Sequence, residues 1–139
     1  MGSDLYLLMR ITELLPNLLL IEPKVFEDHR GHFFESFRED VLKENGLTAP
    51  FVQDNQSLSH RGILRGLHFQ KTPHAQGKFV RVITGAVLDV ALDIRKDSPT
   101  YGQFVAEERN GEADERRPDH PRQHAQGGAR HCRSEERRV

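Results

Sequence analysis

Arg65 and His68 stand three residues apart in "GILRGLHFQ" (62–70), among Ile63, Leu64, Leu67 and Phe69. An unpaired charge or an unsatisfied imidazole among apolar side chains costs several kcal/mol, so the pair asks for a role. Lys78 opens "KFVRVITG" (78–85), and Gln53 and Asn55 alternate in "FVQDNQSLS" (51–59). A neutral imidazole is a general base near neutral pH. Cations beside it stabilise the oxyanion formed when a proton leaves the carbon next to a carbonyl. The same cations also hold phosphate groups. On these residues alone two chemistries stay open: proton transfer on an anionic keto compound, and capture of a carboxylate in a binding pocket.

Strands must position such a group. Faces alternate along a strand, which puts Ile63, Arg65, Leu67 and Phe69 on one side and His68 on the other. A β-bulge at Gly66 would insert one residue and re-aim the side chains that follow. The expectation is a bulged strand with Arg65 and His68 on one interior side, at the mouth of a barrel.

Other strand candidates are "LLLIEP" (18–23), two segments of "FEDHRGHFFESF" (26–37) joined near Asp28–Gly31, "AVLDVALDIR" (86–95) and a weak "QFVAEE" (103–108). "SPTYG" (98–102) reads as a turn. The single helical candidate is "REDVLKENG" (38–46), with acids early and Gly46 as its stop. Frequent strands between Gly and Pro turns predict an all-β antiparallel sandwich or barrel. With one helix on offer, parallel βαβ folding is disfavoured. Arg81, Asp93 and Arg95 read as the solvated face of such a sheet.

The length of 139 residues suits one domain. A net charge of −1 does not point to nucleic acid. Cys132 is the single cysteine, which excludes an internal disulfide and fits a cytoplasmic location. No apolar run reaches the roughly 20 residues that span a bilayer. Met9 is a second possible start, so residues 1–8 read as an extension or tag.

Composition changes near residue 106. Residues 107–139 hold eight Arg, eight acidic residues, three His and no Lys, and lack every large apolar type except Val139. Such a segment cannot bury enough apolar surface to offset its ordering entropy, and it reads as a disordered tail or an out-of-frame stretch. His120, His124, His131 and Cys132 match no closed zinc spacing.

The motifs "MRITELLPNLLLIEPKVF", "DHRGHFFESF", "FVQDNQSLSHRGILRGLHFQ" and "QGKFVRVITGAVLDVALDIRKDSPTYG" resemble, in order and spacing, the dTDP-4-dehydrorhamnose 3,5-epimerase family over residues 9–105. The resemblance implies a cupin-like jelly roll, here partial over 9–106, and a homodimer with exchanged N-terminal strands. It implies inversion of carbons 3 and 5 of dTDP-4-keto-6-deoxyglucose on the way to dTDP-L-rhamnose, with no cofactor or metal. It assigns His68 as the base. Arg65 and Lys78 would lie beside the sugar and diphosphate, with Lys78 carrying enolate charge. Gln53 and Asn55 would contact substrate, Arg30 and Glu35 would reach the nucleotide, and Phe33 would stack near the thymine. Beyond Val105 the resemblance implies an "IPxGFAHGF" segment, a tyrosine acid and an acidic partner for the histidine. The charged segment matches none of these, so the jelly roll is expected to be C-terminally truncated. A catalytically inactive remnant that binds a dTDP-sugar, and a non-enzymatic binding module, are the competing expectations.

Overall fold

The computed structural model describes residues 8–111 and the backbone at 123–126 and 131–133. Strand β1 (Met9–Leu15) turns through Pro16 and Asn17 into β2 (Leu18–Pro23). Asn17 takes the left-handed turn at φ +64, a conformation asparagine tolerates better than most residues, and its N–H donates to the Glu13 carboxylate at 2.9 Å. β1 lies on residues to which the sequence reading assigned no separate strand.

Strands β3 (Phe26–Asp28) and β4 (Gly31–Phe33) form a small hairpin of their own around the expected turn. Helix α1 (Glu39–Glu44) falls inside the expected 38–46. It carries Glu39 and Asp40 in its first turn, where acids suit the helix dipole, and the chain leaves it through Gly46 at φ +87.

Strand β5 (Lys78–Arg81) and strand β6 (Ala86–Asp93) are separated by the turn at Gly85 and enter different sheets. β6 pairs with β7 (Phe104–Asn110) from Ala86↔Asn110 through Leu92↔Phe104. Two short backbone strands complete the ladders. β8 (Gln123–Gln126) sits between β2 and β5, and β9 (His131–Arg133) lines the other edge of β6.

Two differences concern the charged segment. β7 runs past the compositional break at 106, through Glu107 to Asn110, with Arg109 buried. β8 and β9 also fall inside the segment expected to be disordered. Main-chain hydrogen bonds make a ladder, so an existing strand edge can recruit backbone whose side chains are polar. Composition does not record where such edges lie. The remaining tail residues, and the side chains of His120, His124, His131 and Cys132, lie outside the described residues, as do residues 1–7.

β2 organises the core. Leu18, Leu19, Leu20 and Ile21 are all buried, so both faces of the strand are covered. Leu19 and Ile21 pack with Leu42 of α1 and Leu47, flanked by Met9, Ile11, Phe51 and Phe79. On the other side Leu18 packs with Leu15 and Ala91, flanked by Leu14 and Val105. The unbroken apolar run "LLLI" is the sequence form of a strand buried on both faces. Phe37, Phe51 and Phe79 meet edge to face, with ring centroids 5.7–6.0 Å apart, and tie the segments around α1 to β5. Gly111 ends β7 with its N–H on the Gly85 carbonyl at 2.7 Å. A Cβ there would stand 2.4 Å from the Ile83 backbone, which restricts the position to glycine.

A solvated face was expected for Asp93 and Arg95, and the structure overturns it. Asp93 is fully buried. Its carboxylate accepts from the Arg95 backbone N–H at 3.0 Å, Arg95 Nε at 2.9 Å, Arg95 Nη2 at 2.7 Å, Thr100 Oγ1 at 2.6 Å and the Ser98 hydroxyl. Arg95 Nη2 also donates to the Pro16 carbonyl at 3.0 Å, which joins the 94–103 connection to the β1–β2 turn. The charge-assisted bonds from Arg95 hold the Asp93 carboxyl well below the usual carboxylate range, against the opposing effect of burial. The reading failed because Asp93 shares its face with Asp89, and polar residues at alternate positions normally mark water. Here that face turns inward and every charge on Asp93 is met locally. Arg81 is exposed, as expected.

Candidate functional site

The segments carrying most of the candidates are not strands. Residues 51–70 make no described ladder apart from an isolated bridge at His68. Strand propensity needs a partner backbone, and no described strand pairs with these residues. Their apolar side chains are correspondingly open: Val52 is 89% exposed, and Leu58, Ile63, Leu64, Leu67 and Phe69 are exposed too. The bulged strand expected at 62–70 is therefore replaced by an irregular chain. An irregularity at Gly66 is present, at φ +121, a backbone region open to glycine.

Gln53 and Asn55 do meet. Gln53 Nε2 donates to Asn55 Oδ1 at 3.4 Å, as alternate side chains of an extended segment can. Arg65 Nε donates to Ser59 Oγ at 2.9 Å and Nη2 to the Leu58 carbonyl at 3.4 Å. Those bonds run back to its own loop. His68 is exposed at its bridge position, and Lys78 is half-buried at the start of β5, opposite Gln126 in register. The other histidines near the site differ in setting. His32 lies in β4 and stacks on Phe34 at 6.0 Å, while His29, His60 and His74 lie at or beside turns.

Arg30 occupies the β3–β4 turn. Its N–H donates to Asp28 Oδ1 at 2.8 Å and its guanidinium grips the same carboxylate, with Nε at 3.2 and 3.1 Å from the two oxygens. The Arg30 side-chain bonds lower the Asp28 pKa and raise that of Arg30. Glu35 sits 3.8 Å from Arg38 Nη1, and its Oε2 is shielded from solvent without a hydrogen bond. Arg38 gives its stronger contacts to Asp40, at 2.9 and 3.0 Å. Phe33 is 71% exposed on β4, opposite Phe26. A small cavity between β2 and the β6–β7 pair touches Asp89 and Arg109 but none of the seven candidates.

Sequence reading passed over Ser59 and Asp28, the partners of Arg65 and Arg30. Asp28 had a legible signal, since Asp two residues before its partner amide in "DHRG" is an Asx-turn pattern. For Ser59 the signal was weaker: a glycine turn at 61–62 that folds residue 65 back on residue 59.

Comparison with known proteins decides what this arrangement belongs to. The family model described as dTDP-4-dehydrorhamnose 3,5-epimerase matches residues 12–116. The chain belongs to that family. The epimerase of Shigella flexneri is 56% identical over 92 residues, covering 66% of this chain and 51% of that protein. The crystal structure of the Sulfolobus tokodaii epimerase superposes with a TM-score of 0.80 at 35% identity, covering 94% of this chain and 69% of that one. An epimerase from Legionella pneumophila in complex with dTDP-4-keto-L-rhamnose superposes with a TM-score of 0.77 at 42% identity, covering 94% and 66%. The fold is thus all-β and cupin-like with one short helix, as the family resemblance implied. The chain spans about half the length of the curated epimerases it matches. No helix among the described residues is long and apolar enough to cross a membrane.

Proposed function

We propose that the protein epimerises dTDP-4-keto-6-deoxyglucose at carbons 3 and 5, in the biosynthesis of dTDP-L-rhamnose. The observation that carries this reading is that the epimerase family match contains all seven candidates, from Arg30 to Lys78. His68, as the neutral imidazole, takes the proton from the carbon next to the ketone. The electron pair moves into the carbonyl, and Lys78 stabilises the resulting enolate oxygen. Inversion is complete when a proton returns to the opposite face of the same carbon. Arg65 and Lys78 hold the sugar and diphosphate, Gln53 and Asn55 contact the sugar, and Arg30 and Glu35 reach the nucleotide.

Solvent exchange tests the reading. Incubation with dTDP-4-keto-6-deoxyglucose in deuterated water is expected to place deuterium at carbons 3 and 5. Binding of dTDP without any incorporation would instead establish a binding-only protein.

The protein also works as a homodimer with exchanged N-terminal strands, cytoplasmic in location. The open apolar side chains of residues 52–69 support association, because exposed apolar groups of this number mark interaction surfaces. Sedimentation is expected to show a mass of at least twice 16.0 kDa. A monomer that unfolds in one cooperative step would overturn the dimer.

A further inference from the structure

Ser59 is the one buried residue between Val52 and Gln70. Its neighbours Leu58, Ile63 and Leu64 are exposed, the reverse of what apolar burial alone would produce. The chain turns just after it, with Gly62 at φ +82 and the Ile63 N–H on the His60 carbonyl at 3.3 Å. The turn carries Arg65 back over Ser59, whose hydroxyl accepts from Nε at 2.9 Å, while the Leu58 carbonyl accepts from Nη2 at 3.4 Å.

We infer that Ser59 is a positioning residue for Arg65, an inference that rests on the epimerase reading of the same site. Both contacts lie on the Nε–Nη2 edge of the guanidinium. That edge is the one a planar fork would otherwise use against a diphosphate or carboxylate. Holding it from behind fixes the side-chain torsions of a long, rotamer-rich residue. Ordering is completed before substrate arrives, so substrate binding does not bear that entropy. The effect of Ser59 should therefore appear in binding and pass through Arg65.

Steady-state exchange kinetics on the full chain test this. Ser59→Ala is expected to raise KM for dTDP-4-keto-6-deoxyglucose about tenfold, the loss typical of one hydrogen bond to a charged group, with kcat changed less than twofold. Ser59→Thr, which keeps the hydroxyl, is expected to restore KM. In an Arg65→Ala background, Ser59→Ala should add nothing further, the non-additivity that marks action through a shared partner. Full additivity in that cycle, or an unchanged KM in Ser59→Ala, would overturn the inference. Should Ser59→Ala fail to fold, Ser59→Cys keeps the volume and weakens the acceptor, and an unchanged KM there overturns it equally. A wild-type chain that neither exchanges nor binds dTDP would remove the epimerase reading itself. A working wild type with additive variants would remove Ser59 alone.

Discussion

Replacing His68 with asparagine is expected to lower deuterium incorporation at carbons 3 and 5 by roughly 10²- to 10⁴-fold, the range for loss of a positioned general base. Asparagine keeps the approximate size and polarity but has no basic nitrogen. Affinity for dTDP should change little, because the nucleotide is assigned to Arg30 and Glu35, at the β3–β4 turn and just beyond β4. Lys78→Ala should behave differently. On the proposed mechanism one ammonium serves both the enolate and the diphosphate side, so exchange and binding should weaken together. Measuring exchange and dTDP affinity on both variants separates the two roles. Near-normal exchange in His68→Asn would show that another group takes the proton, and the mechanism above would not describe this protein.

Asp93→Ala is expected to destabilise the fold by about 3–5 kcal/mol, the cost of leaving one partner of a buried ion pair behind. The loss exposes more than one group. Arg95, the Ser98 and Thr100 hydroxyls and the Arg95 backbone N–H would all lose their common acceptor. A domain stable by about 5–15 kcal/mol has little margin for this. The sign with pH follows from the lowered pKa of Asp93. The unfolded carboxyl titrates in the ordinary range, so the stabilisation is complete above that range. It falls away as pH drops below that range, toward the lower folded value. Thermal unfolding of wild type and Asp93→Asn should therefore differ most near neutral pH and converge on acidification. An Asp93→Asn protein as stable as wild type at pH 7 would refute the role assigned to this network.

Much of the fold was legible in the residues themselves. "LLLIEP" matches β2 from Leu18 to Pro23, "REDVLKENG" contains α1, and the turn residues Asp28–Gly31, Gly85 and 98–102 punctuate the chain where expected. These are local matters, decided by side-chain period, helix-end chemistry and the conformations open to glycine. The family was legible for a similar reason, since four motifs in order survive without any knowledge of contacts. Arg65, His68, Lys78, Gln53 and Asn55 stood out by residue type and spacing, whereas Arg30 and Glu35 came only with that resemblance.

Pairing and burial were decided only by tertiary structure. Apolar residues in 51–70 signalled strand, yet a strand exists through its neighbour's backbone, and none of the described strands supplies one there. The reverse happened at 123–126 and 131–133, where polar sequence was drawn into ladders by the open edges of β2, β5 and β6. Asp93 followed the same logic. Its parity with Asp89 was visible, but the direction of that face was not, nor were Arg95, Ser98 and Thr100 closing on one carboxylate. Ser59 reaching Arg65 was likewise hidden, because that contact depends on how sharply one loop turns. Side-chain type and spacing are properties of the chain, whereas the partner that satisfies a backbone edge or a buried charge is a property of the assembled fold.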